Sequence, residues 1–491
     1  MPVPDRDPTA KQILVASNRG PVSFSRSEEG EVTANRGSGG LVTALTGAIS
    51  QAGGLWVAAA MSDEDRAMAA AGRFEVAVED TAHTLRYLAF DPAIYDAYYN
   101  EVSNRVLWFV HHYLWDTVRV PGFDESTRDA WAAYREVNRE FAGALAEEGG
   151  EPDGTAYLVQ DYHLSLVPAM LRERVPDARI AHFSHIPFAG PRYFGILPGY
   201  MRQELLIGML GADVLGFQAE AWAQAFLFTC RTLPGASVDL RRRRVRWQGR
   251  ETRVRVYPIA VDADALVELA KTESVIRARR RIERWRGEAK LILRVDRTEL
   301  TKNIHRGFVA FEHFLLAHPE WRRRVRFLAL LNPSRRRVPE YRAYTRECLR
   351  EAERINDELG DEDWHPIDVR VKDDYVSAVA AYGLYDVLLV NPIFDGMNLV
   401  AKEGPAVNRR RGVVILSRNA GAYQELGRHT VPVNPFDVAE TAEAIRTALE
   451  MPTRERTAMA RALRSAVVRN RPERWVRAQL KDLTGGRAPA G

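Results

Sequence analysis

Leu291-Ile292-Leu293-Arg294-Val295 runs straight into Asp296-Arg297-Thr298-Glu299-Leu300-Thr301-Lys302-Asn303. A short, nearly continuous apolar run reads as a strand buried on both faces, as in a parallel sheet covered by helices. The polar residues then fall at the strand's C-terminal end, where open α/β sheets gather their ligands. The same alternation recurs along the chain. Strands are predicted over residues 13–17, 156–159, 180–184, 214–217, 253–258, 325–331, 387–390 and 413–416. Helices are predicted over 126–148, 275–288, 340–359 and 439–451. An α/β fold with doubly wound sheets follows.

At 491 residues the chain exceeds what one hydrophobic core serves, so more than one domain is expected. The strand at 253–258 precedes a polar helix and then the fresh strand at 291, which predicts a boundary near 261–262. The expected division is an N-terminal domain 1–260, a C-terminal domain 261–465, and a closing segment 466–491. That segment reads as a helix returning to the N-terminal domain, then a flexible tail. Hydrophobic residues at 46% and charged residues at 27% exclude wholesale disorder. The longest apolar runs fall far short of the roughly 20 residues of a membrane span. The first ten residues lack the apolar core of a secretory signal. A cytoplasmic protein without a membrane partner is expected.

Basic residues number 69 against 65 acidic, an excess too small to imply a nucleic-acid partner. Only seven of the 69 are lysines, so single arginines carry little weight and lysines inside motifs carry more. The basic run 241–244 with Arg246 sits beside Trp247 and Gln248 in a hairpin-like stretch, and could hold an anion but reads first as a solvated loop. Two cysteines, Cys230 and Cys348, cannot build a disulfide framework or a cysteine-rich metal site. A zinc site from His163 and His185 lacks a third ligand and close spacing. No metal and no cofactor are expected, and a homo-oligomer stays open.

Several strand ends carry chemistry. Ser17-Asn18-Arg19-Gly20 follows the first strand, and Gly37-Ser38-Gly39-Gly40 precedes a helical stretch. That placement suits a phosphate or equally a tight structural turn, since the spacing fits no dinucleotide or Walker fingerprint. Tyr98-Tyr99-Asn100 leads to Ser103-Asn104 and Trp108. Asp161 and His163 follow the strand at 156–159, and His185 follows the next. Such residues suit a hydroxyl-rich ligand. Arg297 and Lys302, five apart at a strand end, can converge on a diphosphate. Asp395-Gly396-Met397-Asn398-Leu399-Val400-Ala401-Lys402-Glu403 is a glycine-containing loop entering a helix. Its amides could cap a phosphate, and Glu403 could accept from two ribose hydroxyls. Lys402 reads as a surface partner.

Taken together, SNR, GG-L, YYN-x-x-SN-x-VLW, DYHL, HIPF, R-x-x-x-x-K, DGMNLVAKE and VNPFD resemble the trehalose-6-phosphate synthases from about residue 13 to 483. The resemblance implies the GT-B architecture, two facing Rossmann-like domains with the active site in their cleft. With ligand groups split before and after Val261, and Gly37, Gly39 and Gly40 free to rearrange, closure on donor binding is expected. It implies retaining, metal-independent transfer of glucose from UDP- or GDP-glucose to glucose 6-phosphate. Both substrates would be small molecules, and the product α,α-trehalose 6-phosphate. Residue by residue it implies that Arg19 and Arg335 hold the acceptor phosphate, with Tyr99, Trp108 and Asp161 lining the acceptor pocket. Gly39 and Gly40 would close over the donor. His185 and Asp395 would bond the donor glucose, and Arg297 and Lys302 the diphosphate. Leu399, Val400 and Glu403 would contact the nucleoside, Glu403 on the ribose, and Gly396, Met397 and Asn398 would also bind the donor.

Three departures from the family pattern stand out. Thr298-Glu299-Leu300 replaces the usual Leu-Asp-Tyr, and Asn303 a frequent glycine. Asp373 stands where an aromatic residue often lines the base. Asp373 or Asp374 could accept both N1–H and N2–H₂ of guanine, or either could simply cap the helix that follows. Two alternatives stay open. One is a pseudo-glycosyltransferase coupling a cyclitol donor to an amino-cyclitol phosphate, although such relatives lose parts of the donor loop that is complete here. The other is a non-catalytic sugar-phosphate sensor.

Overall fold

Valine and leucine fill every position of Val387–Val390, and four of five in Val413–Ser417 are aliphatic. Both strands are buried throughout, as parallel pairing under two helical layers requires. The computed structural model describes residues 12–27, 30–36, 45, 54–78, 81–150 and 154–485. The chain divides into two compact units, one of residues 1–259 with 472–491 and one of 260–471.

The first unit is built on a ten-stranded sheet. Its parallel part runs, in spatial order, Thr81–Leu88, Leu55–Ala59, Gln12–Ser17, Thr155–Gln160, Arg179–Ser184, Val214–Phe217, Arg250–Val256. Numbered along the chain, that is 3-2-1-4-5-6-7, the doubly wound order, with a switch point between Gln12–Ser17 and Thr155–Gln160. The long helix Glu125–Glu148 covers it. Asp124 and Thr127 form its capping box, and Trp131, Tyr134, Phe141 and Leu145 are on its buried face. The closing helix Pro472–Thr484 belongs to this unit. Trp475 Nε1 donates to the Tyr257 carbonyl at 3.0 Å, and the Tyr257 hydroxyl to Asp482 at 2.5 Å.

The second unit has six parallel strands in the order Ile367–Val371, Val325–Asn332, Lys290–Arg297, Val387–Val390, Val413–Ser417, Val431–Val433. This is 3-2-1-4-5-6, with its switch point between Lys290–Arg297 and Val387–Val390. Ile292, Phe308, Phe311, Phe327, Leu389 and Ile415 are in one buried cluster.

The basic run lies in an antiparallel hairpin at the sheet edge: residues 241–243 make a turn, and Arg244–Trp247 is a strand paired with Ser237–Asp239 and Arg250–Val256. Alternating side chains on a strand bring Arg244 and Arg246 to the same carboxylate, Glu251, at 2.7 and 2.9 Å. Among the described residues no helix is long and apolar enough to cross a membrane.

Candidate active site

In the first unit the candidate residues gather where the strand order reverses. Arg19 follows the first strand, and its Nη2 donates to the Tyr99 hydroxyl at 3.3 Å. Tyr99 lies in an eleven-residue π-helical stretch, Ala97–Leu107, a rare form that is frequent at functional sites. Its ring stacks on His163 at 5.7 Å and on Tyr95 at 5.6 Å. Asn18 holds this cluster in place: its Oδ1 accepts from Tyr98 at 3.0 Å and Tyr95 at 3.2 Å. Trp108 is buried and stacks on His112 at 4.0 Å.

Asp161 has φ of 70°, a left-handed conformation that costs a non-glycine residue and recurs at functional sites. Its Oδ1 accepts the His185 backbone N–H at 3.1 Å. Two amides clamp the His185 ring. Gln160 Oε1 lies 3.1 Å from Nε2, and Gln218 Nε2 lies 3.2 Å from Nδ1. Gln218 Oε1 accepts the Ile259 N–H at 2.9 Å, which fixes the amide's orientation. The ring therefore carries its proton on Nε2 and accepts at Nδ1. Neither glutamine is among the residues singled out from the sequence. Gln218 follows the strand Val214–Phe217, so the strand-end rule that located His185 also locates it.

Burial pushes His111, His182 and His185 down to about 3, so all three are neutral in the folded protein. In the unfolded chain each takes up a proton below about pH 6.5. Stability is therefore complete above pH 6.5 and is lost as the pH falls below it. The thermal midpoint is expected to drop between pH 7 and 5, and less steeply in His182→Leu. Equal slopes in the two proteins would contradict this.

In the second unit Lys302 and Asp395 come from opposite sides of the switch point. Lys302 Nζ donates to Asp395 Oδ2 at 2.5 Å. Asn398, with φ of 75°, adds a bond from Nδ2 to the same oxygen at 3.1 Å. Arg294, wholly buried beneath them, donates to the Lys302 carbonyl at 2.8 Å and to Asp296 at 3.1 Å. Burial raises the Asp296 carboxyl to about 6, against the pull of Arg294 and Lys302. Asn303 adopts the left-handed helical conformation, φ 59° and ψ 40°, which explains the frequent glycine there and the tolerance of asparagine. Its side chain donates to the carbonyls of Asn391 at 3.0 Å and Pro435 at 2.7 Å.

The loop carrying Gly396, Met397 and Asn398 is buried against residues 420–422. Gly421 N–H donates to the Asp395 carbonyl at 3.0 Å, and Ala422 N–H to that of Met397 at 2.8 Å. Leu399 and Val400 are half-buried where the loop enters the helix Val400–Val407. Glu403 Oε2 accepts from the Tyr382 hydroxyl at 3.0 Å, and burial holds the carboxyl above its usual range. Lys402 corrects an expectation: it is 2% exposed and paired with Glu425 at 2.5 Å, a core ion pair rather than a surface one.

Arg335, at φ 44°, lies over the Tyr341 ring at 5.3 Å and pairs with Glu299 at 2.9 Å. Asp374 caps the helix Tyr375–Tyr382, since both its oxygens accept from Ser377. Asp373 is exposed and accepts from Asn332 Nδ2 at 2.9 Å. Gly37, Gly39 and Gly40 lie outside the described residues. Among the described residues no three His, Cys, Asp or Glu side chains are placed to hold a metal.

Residues 11–485 match the model of glycosyltransferase family 20. The chain is 32% identical to the validamine 7-phosphate valienyltransferase of Streptomyces hygroscopicus subsp. jinggangensis, covering 98% of this chain and 96% of that protein. It is 33% identical to the α,α-trehalose-phosphate synthase [UDP-forming] of Candida albicans, covering 91% of each. Among solved structures it is similar to the UDP-forming α,α-trehalose-phosphate synthase of Burkholderia xenovorans in complex with glucose-6-phosphate. That likeness has a TM-score of 0.83 at 29% identity, over 96% of this chain and all of that one.

Proposed function

Because the chain belongs to glycosyltransferase family 20, we propose that it transfers glucose, with retention, from a nucleotide-diphosphate glucose to glucose 6-phosphate, making α,α-trehalose 6-phosphate. The observation that carries this reading is the Lys302–Asp395 pair at a Rossmann switch point, with Arg297 on the same strand end. A cation and a carboxylate in contact suit a ligand that brings an anion and hydroxyl groups together.

In this reading Lys302 exchanges Asp395 for the diphosphate, and Asp395 takes hydroxyls of the donor glucose. Arg297 takes the second phosphate. Gly396, Met397 and Asn398 line the donor beside Leu399 and Val400, and Glu403 takes the ribose. Arg19, Tyr99, Trp108 and Asp161 serve the acceptor in the first unit, and Arg335 meets its phosphate from the second. His185, neutral and held by two glutamines, offers an oriented ring to the donor sugar. The bond from C1 to the phosphate oxygen breaks as C1 bonds to the acceptor hydroxyl oxygen on the same face. The hydroxyl proton goes to the departing phosphate oxygen. Catalysis is then positioning plus stabilisation of the leaving charge by Arg297 and Lys302.

The similarity to the valienyltransferase favours a second reading, transfer of a valienyl group to validamine 7-phosphate. Against it stands the complete Asp395–Glu403 stretch. The test is nucleotide release with UDP-, GDP- and ADP-glucose and glucose 6-phosphate, beside nucleotide-linked valienol with validamine 7-phosphate. Turnover confined to the second pair would overturn the trehalose reading.

With Asp374 engaged as a helix cap, Asp373 is the carboxylate left to read the base. A charge-assisted pair to guanine contributes about 1.5–3 kcal/mol. Asp373→Asn is therefore expected to lower the GDP-glucose over UDP-glucose preference by about tenfold. An unchanged ratio of kcat/KM values would remove Asp373 from base selection.

A further inference from the structure

Glu299 is a glutamate where the family pattern has aspartate, and it is fully buried. Its Oε1 accepts from Arg335 Nη1 at 2.9 Å and Ser334 Oγ at 2.8 Å, and is ion-paired with Arg297 Nη1 at 3.0 Å. Its other oxygen is buried with no hydrogen-bond partner. All of this lies within the second unit, on the ends of two adjacent strands. The loops themselves are tied together: Thr298 N–H donates to the Asn332 carbonyl at 2.8 Å, and Ser334 N–H to Thr298 Oγ1 at 3.3 Å.

Resting on the assignment of Arg297 to the diphosphate and Arg335 to the acceptor phosphate, we propose that Glu299 is a positioning residue that couples the two anion subsites. One carboxylate oxygen is shared by two guanidiniums, so the hold on either arginine depends on the other. Burial alone would raise this carboxyl, but Arg297, Arg335 and Lys302 bring it down to about 2, so it stays charged at any working pH. Remove Arg335, and the whole charge of Glu299 falls to Arg297. An arriving diphosphate must then compete with an undivided carboxylate for that guanidinium. Glutamate suits the role better than aspartate because the extra methylene lets one oxygen reach past its own strand end to Arg335.

The test is a double-mutant cycle on nucleotide affinity, read by calorimetry with UDP and with GDP and no acceptor present. Arg335→Ala is expected to weaken nucleotide binding about five- to twentyfold, although Arg335 belongs to the acceptor. In the Glu299→Gln background the same change is expected to cost less than about twofold. Simple loss of a nearby positive charge would cost the same in both backgrounds, and that equality would overturn the proposal. Should Arg335→Ala not fold, Arg335→Met takes its place, keeping the apolar stem without the charge, and is expected to show the same dependence on Glu299. If wild type binds neither nucleotide, the nucleotide-site reading fails and the coupling with it. Equal effects with wild-type binding intact overturn the coupling alone.

Discussion

Lys302→Ala is expected to lower kcat by about 10²–10³, the cost of removing one preorganised charge from a developing anion. The ammonium is a compact point charge, 11% exposed, on a loop held from below by Arg294 through the Lys302 carbonyl. No other described lysine lies on the strand ends of its switch point, and Arg297 reaches from a separate position 49% exposed to solvent. Asp395 keeps its bond from Asn398, so the loop survives the substitution. Nucleotide release at saturating substrates measures the effect. A kcat within tenfold of wild type would show that Lys302 does not meet the leaving group.

Gly421→Ala is expected to be nearly as damaging from outside the contact shell. A Cβ there would sit 1.9 Å from the Gly396 carbonyl oxygen and 2.8 Å from its carbon. Both are backbone atoms, so the loop itself must retreat by an ångström or more. Asp395 moves with it, because its carbonyl accepts the Gly421 N–H. Displacements of that size cost about 10²-fold in rate. The check is kcat/KM together with the circular dichroism spectrum. A folded variant within threefold of wild type would refute the argument.

Most strands buried on both faces are legible because their composition admits little else, and 387–390 matches residue for residue, but Leu55–Ala59, equally buried, is not among the strands the pattern predicts. The long helices came within two residues at each end, since their apolar period extends over three turns or more. Ile367–Val371 was missed because an edge strand with Asp368 and Arg370 alternates too weakly to stand out. The strand Arg244–Trp247 does not stand out within its stretch because its arginines are matched by Glu251, five residues beyond the basic run. In the candidate site the side chains expected to meet ligands were visible as motifs. The parts that orient them were not. Gln218, Asn391 and Gly421 act through contacts with residues distant in sequence, and Lys402 is buried only because Glu425 follows it into the core. A side chain's partner is set by topology, which a local pattern does not contain.

Arg297, Lys302 and Arg335 each rest against a carboxylate before any ligand arrives. Under the proposed assignment, capture is a metathesis: an incoming anion displaces a carboxylate, and the displaced carboxylate must find new donors. A nucleotide sugar satisfies both halves, because its hydroxyls can take Asp395 as its diphosphate takes Lys302. Sulfate brings only the anion and would leave Asp395 short of a bond, at a cost of about 1–3 kcal/mol or more. An anion without donors is thus turned away by valence rather than by shape. One ion pair is traded for another, so the affinity of the true ligand should respond only weakly to ionic strength.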